Sequence, residues 1–201
     1  MKKWLGIFTA AVLLIAALAI LPIHGEAGIY DNVIRLHVLA NSDSDEDQAL
    51  KLVVRDAVLA ETEALLFDVS DRAEAQSVLE SSLPRIKAVA ERAIASAGKS
   101  APVSVTLTDE EYPTREYEQL AFPAGKYLSL RVMIGEAEGR NWWCVLFPPL
   151  CLTAATDARE QETVCLAAGL TGEQYRLIAD TDSTKYKLRF KILEVAEELF
   201  G

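Results

Sequence analysis

Cysteine is scarce: three in 201 residues, none in a Cys-x-x-Cys pair, too few and too scattered for a disulfide scaffold, a zinc ribbon or a thioredoxin-type site. Histidine is scarcer, and past residue 27 only His37 remains, so a histidine-paired nucleophile has a single candidate base. Basic residues are in deficit, 20 Lys and Arg against 30 Asp and Glu, for a formal net charge of -10. That balance excludes electrostatic attraction to nucleic acid or to an anionic membrane surface. There is no internal repeat and no low-complexity tract. What is present, 51% hydrophobic and 25% charged residues, describes one ordinary globular domain that can bury a real core.

Composition is uneven at the start. Lys2 and Lys3 precede an uncharged run, apolar over residues 5–21 but for Gly6 and Thr9, which Pro22 breaks. Gly25-Glu26-Ala27 then places small residues at signal-peptidase spacing, so residues 1–27 read as a signal peptide cleaved after Ala27. The alternative is an uncleaved membrane anchor, since the run nearly spans a bilayer at about 1.5 Å per residue. Both place residues 28–201 outside the cytoplasm as a single domain.

Residues 33–40 alternate and are β-branched enough for a strand. Leu50, Val53, Val54, Ala57, Val58 and Leu65 then form a helical stripe, capped by Asp43 or Ser44. A second helical region follows Ser70-Asp71, burying Leu79, Leu83, Ile86, Ala90, Ala93 and Ile94; Pro84 is expected to divide it and Gly98 to stop it. Strands are expected over residues 103–108, 127–134 and 142–147, with a turn at 135–139 and Pro148-Pro149 ending the last. Residues 153–184 read as a variable insertion with a short helix near 164–170, and 186–200 as a closing helix. The order gives an α+β fold, a small mixed or antiparallel sheet with helices packed on one face.

Asp43, Asp45 and Asp47 are spaced like the start of a calcium loop, but Gln48 stands where that loop needs glycine and Val54 where it needs glutamate. They read instead as carboxylates favoured by a helix N-terminus. Asp180-Thr181-Asp182 lacks the glycine of an aspartic-protease motif and has no second copy. His37 is better placed to cover a sheet face than to act as a base. No catalytic residue, metal site or cofactor site is therefore assigned. Cys144 and Cys151 are close enough in sequence to bridge in an oxidising compartment, or else are two buried thiols; Cys165 is odd. In an extended segment Trp142, Cys144 and Leu146 point one way and Trp143, Val145 and Phe147 the other. Either one set forms an exposed patch with an aromatic anchor, or both are covered.

Two stretches resemble a known family. One begins Ile34-Arg35-Leu36-His37-Val38-Leu39-Ala40-Asn41-Ser42-Asp43 and runs on to Val54-Arg55-Asp56. The other is Asn141-Trp142-Trp143-Cys144-Val145-Leu146-Phe147-Pro148-Pro149-Leu150-Cys151. Both are similar to stage II sporulation protein R of endospore-forming bacteria, as are Phe122-Pro123-Ala124-Gly125-Lys126-Tyr127 and Leu188-Arg189-Phe190-Lys191. The resemblance implies a signalling protein, a ligand and not an enzyme, secreted from the forespore into the intermembrane space. Its implied partner is a membrane-embedded sporulation aspartic protease that processes the mother-cell sigma factor precursor. Membrane contact would come only through an uncleaved N-terminal segment. The recognition surface is expected at Asn141, Trp142, Trp143, Pro148 and Pro149, with Asn41, Asp43 and Asp45 of the acidic loop as the second location. An extracytoplasmic cell-wall hydrolase is the rival reading, and a carrier of a small ligand the third.

Overall fold

The computed structural model describes residues 26–117, 120–151 and 158–179. Residues 1–25 of the signal peptide or anchor expected over 1–27, and the closing helix expected over 186–200, lie outside these residues. Helix α1 (Glu26–Asn32) leads into strand β1 (Ile34–Leu39). Helices α2 (Asp45–Leu66) and α3 (Arg72–Ser96) follow, then β2 (Val103–Tyr112), β3 (Arg115–Tyr117), β4 (Leu120–Phe122), β5 (Gly125–Ile134) and β6 (Asn141–Phe147). Two short helices, α4 (Ala158–Ala167) and α5 (Gly172–Ala179), close the described chain.

Local chemistry sets the helix ends. The Ser44 hydroxyl caps α2 by accepting from the Asp47 backbone N–H, and the Asp71 carboxylate caps α3 by accepting from that of Glu74. At the far end of α3 the N–H of Gly98 bonds the Ala95 carbonyl and that of Lys99 the Ile94 carbonyl, with Gly98 at φ +70°. This left-handed closure is the stop expected at Gly98. The expected division at Pro84 does not occur: α3 runs unbroken through it. Pro84 and Glu80 both face solvent, so the carbonyl left without its N–H partner can be hydrated, while Leu79 and Ile86 anchor the flanking turns.

The sheet order is β2-β5-β1-β6; β1 and β5 are parallel and the other pairs antiparallel, a mixed sheet in an α+β fold. Alternation sorts its residues into two layers. Leu36, Val38, Leu128, Leu130, Val132 and Ile134 meet Val54, Val58, Leu79 and Ile86 of the two long helices. On the opposite face Tyr127, Tyr112 and Val145 meet the β3–β4 ribbon and the short helices, through Phe122, Ile29, Cys165, Tyr175 and Ile178. The long helices thus cover one face as expected, and small elements cover the other. Residues 158–179 hold two helices where the sequence showed one. Both are short, and what fixes them is contact with this second core, which no local period reports.

The phase of β6 departs from strict alternation. The register with β1 shifts between Ile34 and Arg35, which face Phe147 and Val145 respectively. The shift turns Phe147 into the same cluster as Leu146, away from Trp143 and Val145.

Candidate functional site

The face of the sheet away from the long helices carries most of its unusual chemistry. Arg35 on β1 is fully buried, and its guanidinium lies 4.5 Å from the Tyr112 ring and 5.2–5.6 Å from those of Tyr127, Phe122 and Tyr117. It donates to the Cys144 carbonyl and to the Tyr117 hydroxyl, while Nη1 has no hydrogen-bond partner. No carboxylate faces it in these contacts. The aromatic quadrupoles supply the compensating negative charge. Burial raises the Tyr112 phenol far above its ordinary value, against the lowering effect of its 2.7 Å bond with Ser129 and of Arg35.

Two residues along β1, His37 is buried with both ring nitrogens engaged: Nδ1 lies 2.9 Å from Glu110 Oε1 and Nε2 3.0 Å from Asn141 Oδ1. Arg131 completes an ion pair with Glu110 at 3.1 Å. Burial works to raise the Glu110 carboxyl, but the His37 hydrogen bond and charge, the Ser129 hydroxyl and Arg131 outweigh it and hold the group below its ordinary range. A histidine and glutamate in contact have the composition of an acid–base pair, yet the imidazole has no nitrogen left over to take a proton from a substrate. His37 covers the sheet face, as its phase predicts, through side-chain partners.

The acidic loop is built into the domain. Asn41 donates to Asp47 and accepts from the Glu136 N–H, and Asp43 accepts from the Arg140 N–H at 2.7 Å. Gly135, at φ +60°, packs so closely on Asn41 that a Cβ would collide with it. The Asp47 carboxyl is held below its ordinary value by the Ser42 and Asn41 hydrogen bonds. Beneath the turn Lys51 is buried and donates to the Arg140 carbonyl at 2.7 Å. Asp45 is exposed in the first turn of α2. The structure therefore brings Asn41, Asp43 and Asn141 together at one end of the sheet.

Pro148 and Pro149 lie past the other end of β6, about 20 Å away at the strand rise. Pro149 lines a small groove with Leu66, Phe67 and Leu146, and the peptide bond before Pro148 is cis. Between the two ends sit the tryptophans, both half-buried. Trp142 turns toward the long helices, where Arg55 lies 5.1 Å from its ring; Trp143 turns toward His37, with the Arg115 guanidinium 3.7 Å from its ring. Both faces are covered, but incompletely. A groove of 310 Å³ opens beside β6, lined by Trp142, Trp143, Tyr117, Leu120, Leu150 and Gln161 among others. The Cys144–Cys151 disulfide, with Cα atoms 5.7 Å apart, forms part of its wall. Cys165 is a buried free thiol, pushed up to about 12 by desolvation. Sequence reasoning missed Arg35, Glu110, Arg131 and Gln161. An arginine inside a strand of apolar neighbours was the available signal for the first; the others meet only through strand pairing.

An α+β domain with an arginine-bearing aromatic layer on one sheet face, and among the described residues no cluster of metal-ligating groups, defines the class of molecule. A family model described as stage II sporulation protein R matches residues 30–157, and the chain belongs to that family. It is 45% identical over 123 residues, 61% of this chain, to the stage II sporulation protein R of Bacillus subtilis (strain 168). The aligned part covers 55% of that relative, so the chain spans about half its length. No solved structure matches. The family places the chain in sporulation, under a name that denotes no enzymatic activity.

Proposed function

We propose that the chain is a secreted sporulation signal, exported from the forespore into the intermembrane space. There it activates a membrane-embedded aspartic protease, so that the mother-cell sigma factor precursor is processed. It acts as a ligand without cofactor or catalytic group of its own. A ligand can do this only by binding the active form of its receptor more tightly than the resting form. The observation that carries the reading is family membership joined to the character of β6. The most distinctive family-like stretch, residues 141–151, begins with the strand that ends the sheet among the described residues and holds two half-buried tryptophans beside an apolar groove, the composition of a protein-binding surface. A cell-wall hydrolase would need a reactive group poised in a cleft, whereas His37 is buried with both nitrogens bonded.

Expression of the chain with the sporulation protease and the sigma precursor in an unrelated host tests this. Precursor cleavage should require the chain, and require its export segment. Cleavage without the chain, or lysis of peptidoglycan by the purified chain, would overturn it.

A further inference from the structure

Among the described residues four large hydrophobic side chains stand exposed, and two of them, Val53 at 45% and Phe67 at 83%, mark the ends of one face of α2. Ala57, Ala60 and Ala64 fall between them, so apolar residues recur at alternating steps of four and three. Phe67, the cap residue, keeps helical angles and continues the row. This is a second face: Leu50, Val54, Val58, Thr62 and Leu66, which α2 buries in the core, lie on another side. Ala57 is half-buried and the other four are exposed, so neither α3 nor the sheet covers the row. It runs for about 21 Å and has the spacing of a seam that another helix packs against.

At the Phe67 end the seam meets a groove of 480 Å³, lined by Ala64, Leu65, Phe67 and Val69 together with Glu63 and Asp68. Those carboxylates stand at the negative end of the α2 dipole, and the last turn of α2 holds no basic residue. Among the described residues neither has a hydrogen-bond or ion-pair partner, whereas Glu61 on the same helix is paired with Arg85. A local choice that works against the fold is expected where function asks for it. The charge also decides what covers the seam. Asp56, Glu61, Glu63 and Asp68 border it, so a second copy docking through the same face, in either direction, meets carboxylate with carboxylate. An anionic lipid surface is repelled likewise, and a helix flanked by Lys or Arg is attracted.

We propose that the outer face of α2 from Val53 to Phe67 docks one amphipathic helix of a protein partner. That helix carries apolar residues at the matching steps, sets one large side chain into the groove beside Phe67, and flanks that end with Lys or Arg for Glu63 and Asp68. Packing along the seam supplies affinity, and the charges select the helix and its register. The inference rests on the protein-ligand reading above and adds to it a face other than β6.

In the three-component host two pairs of substitutions separate shape from charge. Ala60→Gln with Ala64→Gln fills the seam at unchanged charge, and Glu63→Gln with Asp68→Asn removes the carboxylates at unchanged bulk. Each pair should lower precursor cleavage tenfold or more, while Glu111→Gln, a charge loss on β2, stays within twofold. The unfolding midpoint should stay within a few degrees for the first pair and equal or exceed that of wild type for the second, since the dipole then meets no like charge. A fall in the second midpoint along with cleavage would mark a structural role and overturn the proposal. Should the first pair fail to fold, Phe67→Ser reads the same contact. A photo-crosslinking phenylalanine analogue at position 64 should join to a helix of the protease with Lys or Arg beside apolar residues at these steps. Unchanged cleavage in either folded pair overturns the proposal, as does a crosslink to lipid, to a second copy or to residues 186–200 of the chain itself. If wild type supports no cleavage at all, protease activation fails, and the face is judged separately. The full chain would then be titrated calorimetrically with a capped peptide of three heptads, Leu at these steps and Lys on both flanks. Binding at least tenfold weaker in both pairs upholds the docking mode, and binding that is absent, or unchanged in either pair, overturns it.

Discussion

Glu110 sits between the His37 imidazole, Nδ1 at 2.9 Å, and the Arg131 guanidinium at 3.1 Å. Its carboxyl is held below the ordinary 4.5, so the folded state binds its proton less readily than the unfolded chain. The stability it contributes is fully present above pH 4.5 and is lost as pH falls through the lowered value. Glu110→Gln should therefore cost about 1 to 3 kcal/mol at pH 7, a range reduced for partial exposure. The gap from wild type should close below pH 4, as read by urea denaturation across pH 3–7; a gap independent of pH would contradict the assignment. Gly98 makes a cleaner case. A Cβ there meets no atom within 4 Å, so Gly98→Ala tests the left-handed backbone alone and should cost about 1 to 2 kcal/mol. No loss in thermal unfolding would mean that the closure of α3 relaxes freely.

At the scale of elements, β1, both long helices, β5 and β6 were legible because their faces are filled by local period: 2 along the strands, 3.6 along the helices. The caps at Ser44 and Gly98 were legible because they are local hydrogen-bond chemistry. Pro84 misled for the opposite reason. A propensity of about 3 kcal/mol against helix was outweighed by burial of Leu79 and Ile86 on either side. The helix bears that strain without gain, and Pro84→Ala should stabilise the domain by about 1 to 3 kcal/mol, seen as a higher urea midpoint at unchanged slope. The candidate site was legible only in part. Trp142 and Trp143 stand out in any reading of the chain. Arg35 and Gln161 matter because of what other strands and helices bring to them, and a single sequence does not print those pairings. The phase of Phe147 failed at one register shift, which period counting cannot see.

The described residues place the four-stranded sheet between two apolar layers of unequal origin. All of the first but Ala168 lies inside residues 30–157; the second needs Cys165, Leu170, Tyr175 and Ile178, which lie past the family match. A chain ending at residue 157 would expose Phe122, Tyr127 and Val145, all at most 2% exposed in the intact domain. It should unfold at least 5 °C lower than the full chain and bind an apolar dye, since large buried side chains each contribute about 2 kcal/mol. An equal melting temperature would show that the second layer is an accessory.

Helix α1 ties the start of the domain into that same layer. Ile29 is fully buried, Asn32 donates to the Gly28 carbonyl, and Tyr30 meets Tyr127 edge to face and donates to the Ala124 carbonyl. The bond after Ala27 falls in the first turn of this helix. A peptidase needs chain it can draw out, and here drawing it out means pulling Ile29 from the core. On the export reading proposed above, processing at that bond and closure of the domain would be rivals in time. A chain cut while still emerging would fold freely; one that folded first would shield the bond until it opened again.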